Sequence, residues 1–351
     1  MNWKENVRSV EPYTPGEQPK GDNIIKLNTN ECPYPPAPEV QKAIENMQYS
    51  NLRLYPDTES TILTEALADF HDLNTNQIFI GVGSDDVLAL SFLTYFNSDK
   101  PVLFPDITYS FYDVWAKLYK VPFRQQPLNS KFEICPEDYC CENGGIVIAN
   151  PNAPTGISMG VGDIERIIKA NPDVVVIVDE AYVDFGAETC IPLIPKYDNL
   201  LVVRTFSKSR SMAGLRIGYA MGQKELIQCL SDNKNSINSY TMNRPAQEIG
   251  AFSVYNKEYF YSTVAKIVKT RERFKEAIKE LGFSCTDSKT NFVFVTHDTL
   301  SIKEIFEAAK AEGIYFRYWN KPRISNYMRV TIGTDEEMDC VIKFLEKYVQ
   351  R

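Results

Sequence analysis

Apolar residues fall in short continuous runs, set between segments with helical spacing. In residues 61–71, Ile62, Leu63, Ala66, Leu67 and Phe70 recur three and four apart, which predicts an amphipathic helix. The apolar run at 77–83 predicts a strand, and Ser84-Asp-Asp86 then opens a helix to 96. Ser84 suits a helix cap there, and acidic residues suit a first turn. The alternation continues with strands at 101–104, 145–149, 174–178 and 200–203 and helices at 109–119 and 163–170. β-Branched runs without polar alternation fit strands buried on both faces. The expected fold class is therefore α/β: a large, mostly parallel sheet flanked by helices, with ligands beyond the carboxyl ends of its strands.

Both ends of the chain depart from this pattern. Residues 1–38 are rich in proline, asparagine and glycine and predict an extended arm, with a helix at 40–47 after it. Beyond residue 254 a long charged helix at 257–281 precedes strands at 291–295, 314–317 and 328–332 and helices at 302–312 and 336–348. The expected organisation is an arm (1–38), a large domain (39–254) and a smaller α/β domain (255–351). No internal repeat stands out.

Composition narrows the function classes. The 351 residues are 44% hydrophobic and 24% charged, as in ordinary globular proteins, and the net charge of −8 gives no general attraction for nucleic acid or anionic membrane. No apolar run is long enough to span a bilayer, and the first residues lack the apolar stretch of a signal peptide, so the expected location is the cytoplasm. Eight scattered cysteines and only two histidines, His71 and His297, predict no metal site and no histidine-based triad.

Candidate chemistry gathers where the predicted strands end. One strand runs into Asp179-Glu-Ala-Tyr182, which places a carboxylate at the ligand face. The next runs into Ser207-Lys208, and a desolvated lysine is the usual Schiff-base nucleophile. Gly81-Val-Gly83-Ser84-Asp85 is a glycine turn at a helix start, where backbone N–H groups can meet a phosphate. It is neither a dinucleotide fingerprint nor a Walker A loop. Each signal alone is weak; order and spacing give them force.

Together the strings Gly83-Ser-Asp-Asp86, Asn150-Pro-Asn-Ala-Pro-Thr-Gly156, Asp179-Glu-Ala-Tyr182, Thr205-Phe-Ser-Lys208 and Gly214-Leu-Arg-Ile-Gly218 resemble the fold-type I pyridoxal-phosphate aminotransferases. Pro12-Tyr-Thr-Pro-Gly16, Leu27-Asn-Thr-Asn-Glu31, Leu54-Tyr-Pro-Asp57 and Met328-Arg-Val-Thr-Ile-Gly-Thr334 make the chain most similar to the histidinol-phosphate aminotransferases among them. The resemblance implies that Lys208 carries the cofactor as a Schiff base and moves a substrate proton, that Asp179 pairs with the pyridine nitrogen, and that Tyr182 bonds the phenolic oxygen. It places Tyr109 over the ring and Ser84, Asp85, Ser207 and Arg216 around the phosphate. Tyr55 is implied to reach the phosphate of a partner subunit, hence a homodimer. The family's asparagine before Pro-Thr-Gly is Ala153 here, so its contact falls to Asn152, with Asn150 the other candidate. Arg329 and Arg317 are the implied anion-binding pair for the substrate, with Tyr13, Asn30 and Asn291 as further pocket residues.

The expected reaction is transfer of an amino group from L-histidinol phosphate to 2-oxoglutarate, a step of histidine biosynthesis. Rivals are an aromatic amino acid aminotransferase and a lyase resembling phosphothreonine decarboxylase. A non-enzymatic aminotransferase-like domain of a transcription regulator is disfavoured, because Lys208 is intact.

Overall fold

A computed structural model describes residues 2–21 and 24–350 of the chain. The N-terminal segment contains the short strand β1 (Ile25–Lys26), and helices α1 (Pro38–Glu45) and α2 (Thr61–His71) follow it. The alternation then runs β2 (Ile78–Gly81), α3 (Ser84–Tyr95), β3 (Val102–Pro105), α4 (Phe111–Tyr119), β4 (Phe123–Gln126), β5 (Gly145–Ala149), α5 (Val161–Ala170), β6 (Val176–Asp179), β7 (Leu200–Thr205) and β8 (Gly218–Met221).

Strands β2 to β8 form one sheet in the order β2-β8-β7-β6-β5-β3-β4. The pairs from β7 through β4 are parallel, and β8 runs antiparallel to both of its neighbours. Between β3 and β5 the chain leaves in opposite directions across the sheet, which opens a crevice at the carboxyl ends. The β-branched runs explain the placement of this sheet. Ile146, Ile148, Val176, Val178, Leu200 and Val202 enter one core with α2 and α5, while Val147, Ile177, Leu201 and Val203 enter another with α3 and α4. Both faces are sealed, so the strand ends are the openings to solvent.

Helices α6 (Lys224–Ile237), α7 (Arg244–Tyr255) and α8 (Lys257–Glu280) lead to β9 (Phe283–Cys285), β10 (Phe292–His297), α9 (Ile302–Ala311), β11 (Ile314–Tyr315), β12 (Arg317–Tyr318), β13 (Met328–Thr331) and α10 (Asp335–Val349). An antiparallel sheet of order β12-β13-β10-β9 forms here. β11 instead pairs in parallel with β1, tying the N-terminal segment to this region. The single strand expected at 314–317 is thus two strands in two sheets. Phe316 between them is buried in the core beneath, and the chain changes partners around it.

The start of α3 also differs from expectation. Ser84 is already helical, and Gly83 occupies the cap position at φ +85°. That positive φ strains any L side chain, and a Cβ at Gly83 would also displace the Arg216 guanidinium, 2.5 Å away, so glycine suits the position. Among the described residues no helix is long and apolar enough to cross a membrane.

Candidate active site

The ends of β5, β6 and β7 and the start of α3 surround a cavity of about 180 Å³. Ser84, Asp85, Tyr109, Asp179, Tyr182, Ser207, Lys208 and Arg216 all line it. Widely separated strings therefore meet because parallel strands deliver their carboxyl ends to one edge. Gly218 makes the closest approach: a Cβ there would lie 2.2 Å from both the Ser84 nitrogen and the Gly83 carbonyl carbon. The bare strand β8 lets the N–H groups at the start of α3 face the cavity rather than a side chain.

Asp179 is 5% exposed. Its Oδ2 accepts from the Tyr112 hydroxyl at 2.8 Å and its Oδ1 from the Ala181 N–H at 3.1 Å. Burial raises its pKa to about 6 against these two donors, which hold it down. No cation pairs with it among the described residues, so the carboxylate lacks the one partner that would offset its burial. Lys208 Nζ makes one long hydrogen bond, 3.3 Å to the Thr29 carbonyl, and lies 5.6 Å from the centre of the Tyr182 ring.

Behind these groups, a charged frame fixes the strand ends. Buried Arg204 pairs with Glu180 at 2.9 Å and Asp184 at 3.3 Å, and the Ser209 hydroxyl donates to Asp184. Glu180 follows Asp179 and Ser209 follows Lys208, so the frame couples the two loops that carry the chemistry. Asp85 does similar work at the opposite side, accepting from the Tyr109 hydroxyl at 2.7 Å and pairing with Arg216 at 3.2 Å.

A second cavity of about 330 Å³ adjoins the first, and Tyr109, Ala153 and Tyr182 line both. Tyr13, Trp319 and Arg329 line the second. Arg329 donates through Nη2 to the Asn28 carbonyl at 2.8 Å, while its Nε is sealed from solvent and has no partner. Burial pushes its pKa down.

Several expected residues sit elsewhere. Asn152 is buried in its own turn: its amide donates to the Ile107 carbonyl and to Thr155, and its oxygen accepts from Thr108. Asn150 is closed on Met159. Neither lines a cavity, because each amide already serves the backbone around it; Ala153 lines the wall instead. Asn30 and Asn291 are also outside both cavities. Asn30, at φ +57°, donates to the Tyr182 hydroxyl at 2.8 Å, and Asn291 donates to the Asn30 carbonyl at 3.0 Å. They brace Tyr182 from behind. Tyr55 is 77% exposed, stacked on Tyr240 at 4.5 Å and away from this chain's own cavity. Residues not anticipated from the sequence are Tyr112, Thr29, Glu31 and Trp319. Tyr112 lies in the first turn of α4, three positions beyond Tyr109, where a buried aromatic reads equally well as plain core.

The lysine, the cation-lacking carboxylate and the N–H cradle fit pyridoxal phosphate: an amine for its aldehyde, an acid for its ring nitrogen and donors for its phosphate. A family model described as aminotransferase class I and II matches residues 22–345. Histidinol-phosphate aminotransferase of Lactococcus lactis subsp. cremoris (strain MG1363) is 53% identical over 350 residues, covering 100% of this chain and 98% of that protein. The enzyme of the same name from Acinetobacter baylyi is 48% identical, covering 99% and 97%. A crystal structure of histidinol-phosphate aminotransferase from Sinorhizobium meliloti in complex with pyridoxal-5'-phosphate superposes with TM-score 0.85 at 23% identity, covering 93% of this chain and 91% of that one, which shows the shared fold. The chain belongs to the class I and II aminotransferase family and, within it, to the histidinol-phosphate aminotransferases.

Proposed function

We propose that the protein moves an amino group from L-histidinol phosphate to 2-oxoglutarate, giving imidazole-acetol phosphate and glutamate, with pyridoxal phosphate held in the first cavity. The observation that carries this reading is the shared wall of Tyr109, Ala153 and Tyr182, which sets the Lys208–Asp179 cavity beside one lined by Arg329. The cofactor, when bound, supplies a ring that accepts the electron pair left when the substrate carbon loses its proton. Lys208 Nζ would hold the cofactor and, as the amine of the cavity, would move the proton at the substrate carbon that bears the amino group. Asp179 keeps a proton on the ring nitrogen, and Tyr109 covers the ring. Ser84, Ser207, Arg216 and the Asp85 N–H hold the phosphate, while the Asp85 carboxylate orients Arg216 and Tyr109. Asn30 and Asn291 position Tyr182 for the phenolic oxygen. Arg329 and Arg317 take the distal anion of each substrate in turn, a phosphate and then a carboxylate.

The working unit is a homodimer. Tyr55 is exposed beside Tyr49, Leu52, Leu54 and Tyr240, an apolar surface that a second copy would cover, and across it Tyr55 reaches the partner's cavity. Eight free cysteines suit a reducing compartment, and the enzyme acts in the cytoplasm.

A half-reaction screen tests the reading. Holoenzyme is mixed separately with histidinol phosphate, phenylalanine, glutamate and phosphothreonine, and cofactor absorption is followed. Histidinol phosphate and glutamate are expected to react fastest. Faster reaction with phenylalanine moves the assignment to aromatic substrates, and carbon dioxide from phosphothreonine moves it to a lyase.

A further inference from the structure

Arg317 and Arg329 face each other directly across the β12–β13 ladder. Trp319, two residues beyond Arg317, brings its ring to both: the guanidinium carbons lie 5.4 Å and 5.3 Å from its centre. Like charges in directly opposed strand positions repel. The carboxylates at the cavity that Arg329 and Trp319 line are already engaged, Asp106 by Arg323 at 2.8 Å and Asp113 by Lys117 at 2.9 Å; Arg317 stands behind that wall. Among the described residues no ion pair holds Arg317 or Arg329.

The two arginines are tethered unequally. Arg329 is anchored to Asn28 at 2.8 Å and also lies 5.3 Å from the Phe292 ring. Arg317 is partly exposed and held by two weaker bonds, 3.1 Å to the Thr14 carbonyl and 3.4 Å to that of Pro15. The carbonyls hold Arg317 from the N-terminal segment, whereas the indole is a contact that Arg317 and Arg329 share and that keeps the two side by side. A π face attracts a guanidinium without neutralising it, so both charges stay available to a ligand.

We propose that Trp319 is a positioning residue that sets the preference of the site for a phosphate over a carboxylate at the distal end of the amino donor. This rests on the functional reading above. A phosphate dianion has three terminal oxygens and engages two guanidinium forks together, whereas a carboxylate is satisfied by one. Fixing the second fork matters to the phosphate and little to the carboxylate.

The test uses holoenzyme with Trp319→Leu, Trp319→Met and Trp319→Phe. Leu and Met keep apolar bulk without a π face, so a folding failure of one leaves the other. For either, kcat/KM for histidinol phosphate should fall about tenfold through KM, the size expected from losing a partly desolvated cation–π contact. Glutamate should lose less than about threefold, while the inhibition constant of inorganic phosphate against glutamate should rise about tenfold. Trp319→Phe should restore the histidinol phosphate and inorganic phosphate values to within about threefold of wild type, since a ring remains. Equal losses on all donors, or unchanged inhibition by inorganic phosphate, overturn the proposal. Wild-type enzyme that ignores histidinol phosphate overturns the functional reading instead, and the inorganic phosphate comparison still decides the role of Trp319.

Discussion

The Tyr112 hydroxyl, buried beneath the cavity, donates at 2.8 Å to Oδ2 of Asp179, which lines it. The bond favours the ionised carboxylate that the ring nitrogen needs. Tyr112→Phe should cost about tenfold in kcat/KM, the worth of one hydrogen bond to a charged group. Its acidic limb should move to higher pH, because a carboxylate without its donor holds a proton more tightly. Coincident pH profiles for variant and wild type would remove Tyr112 from the mechanism. Asp179→Asn should be far worse, on the order of hundredfold or more.

Cofactor-free protein gives Asp179 a thermodynamic signature. Its pKa is about 6 when folded, above the ordinary 3.8, so the folded state binds the extra proton between those values. Stability should therefore fall as pH rises from about 4 to about 6, by ~3 kcal/mol at most across that window. Asp179→Asn should lack this component; melting curves of the two proteins over the same pH range decide it.

Lys208→Ala should abolish turnover, because no second amine lines the cavity among the described residues. After borohydride reduction of wild-type holoenzyme, peptide mass analysis should find the cofactor on Lys208. Label on any other lysine sinks the site assignment.

Arg329→Ala should damage both half-reactions. Among the described residues no carboxylate pairs with the guanidinium, and its removal leaves either substrate anion uncompensated, a loss of roughly two to five kcal/mol. Specificity constants for histidinol phosphate and glutamate should fall together. If histidinol phosphate is spared, its phosphate binds elsewhere.

His71 shares a 3.0 Å hydrogen bond with the Tyr219 hydroxyl. Burial, then the charges of Arg204, Arg210 and Lys257, depress its pKa to about 2 from 6.5. The unfolded chain takes up the proton first, so this contribution to stability is present above pH 6.5 and fades as pH falls. Urea midpoints for wild type and His71→Gln should diverge below that pH, by up to about 1.4 kcal/mol for each step of one in pH. Parallel curves would mean that His71 titrates normally.

How much of this was legible depended on whether local spacing carried the signal. Lys208 and Asp179 follow apolar strands directly, so their place at one edge follows from strand direction alone. Tyr112 could not be told from core, since its hydroxyl meets Asp179 only through the packing of α4. Asn152 was misleading because an asparagine in a tight turn serves the turn first, and the sequence does not say which way its amide points. Residues 314–317 read as one strand; only the burial of Phe316 and the arrival of β1 divide them. The pairing of Arg317 with Arg329 depends on hairpin register across a long intervening loop, which no local pattern sets.

The parallel pairing of β1 with β11 has a practical side. One residue after β11, the chain enters the strand that bears Arg317, whose guanidinium reaches back to the Thr14 and Pro15 carbonyls. Residues 14–26 are thus stitched to the anion end of the pocket at two points. Deleting Thr14 and Pro15 would cost Arg317 both of its carbonyl acceptors while leaving the β1–β11 pairing in place.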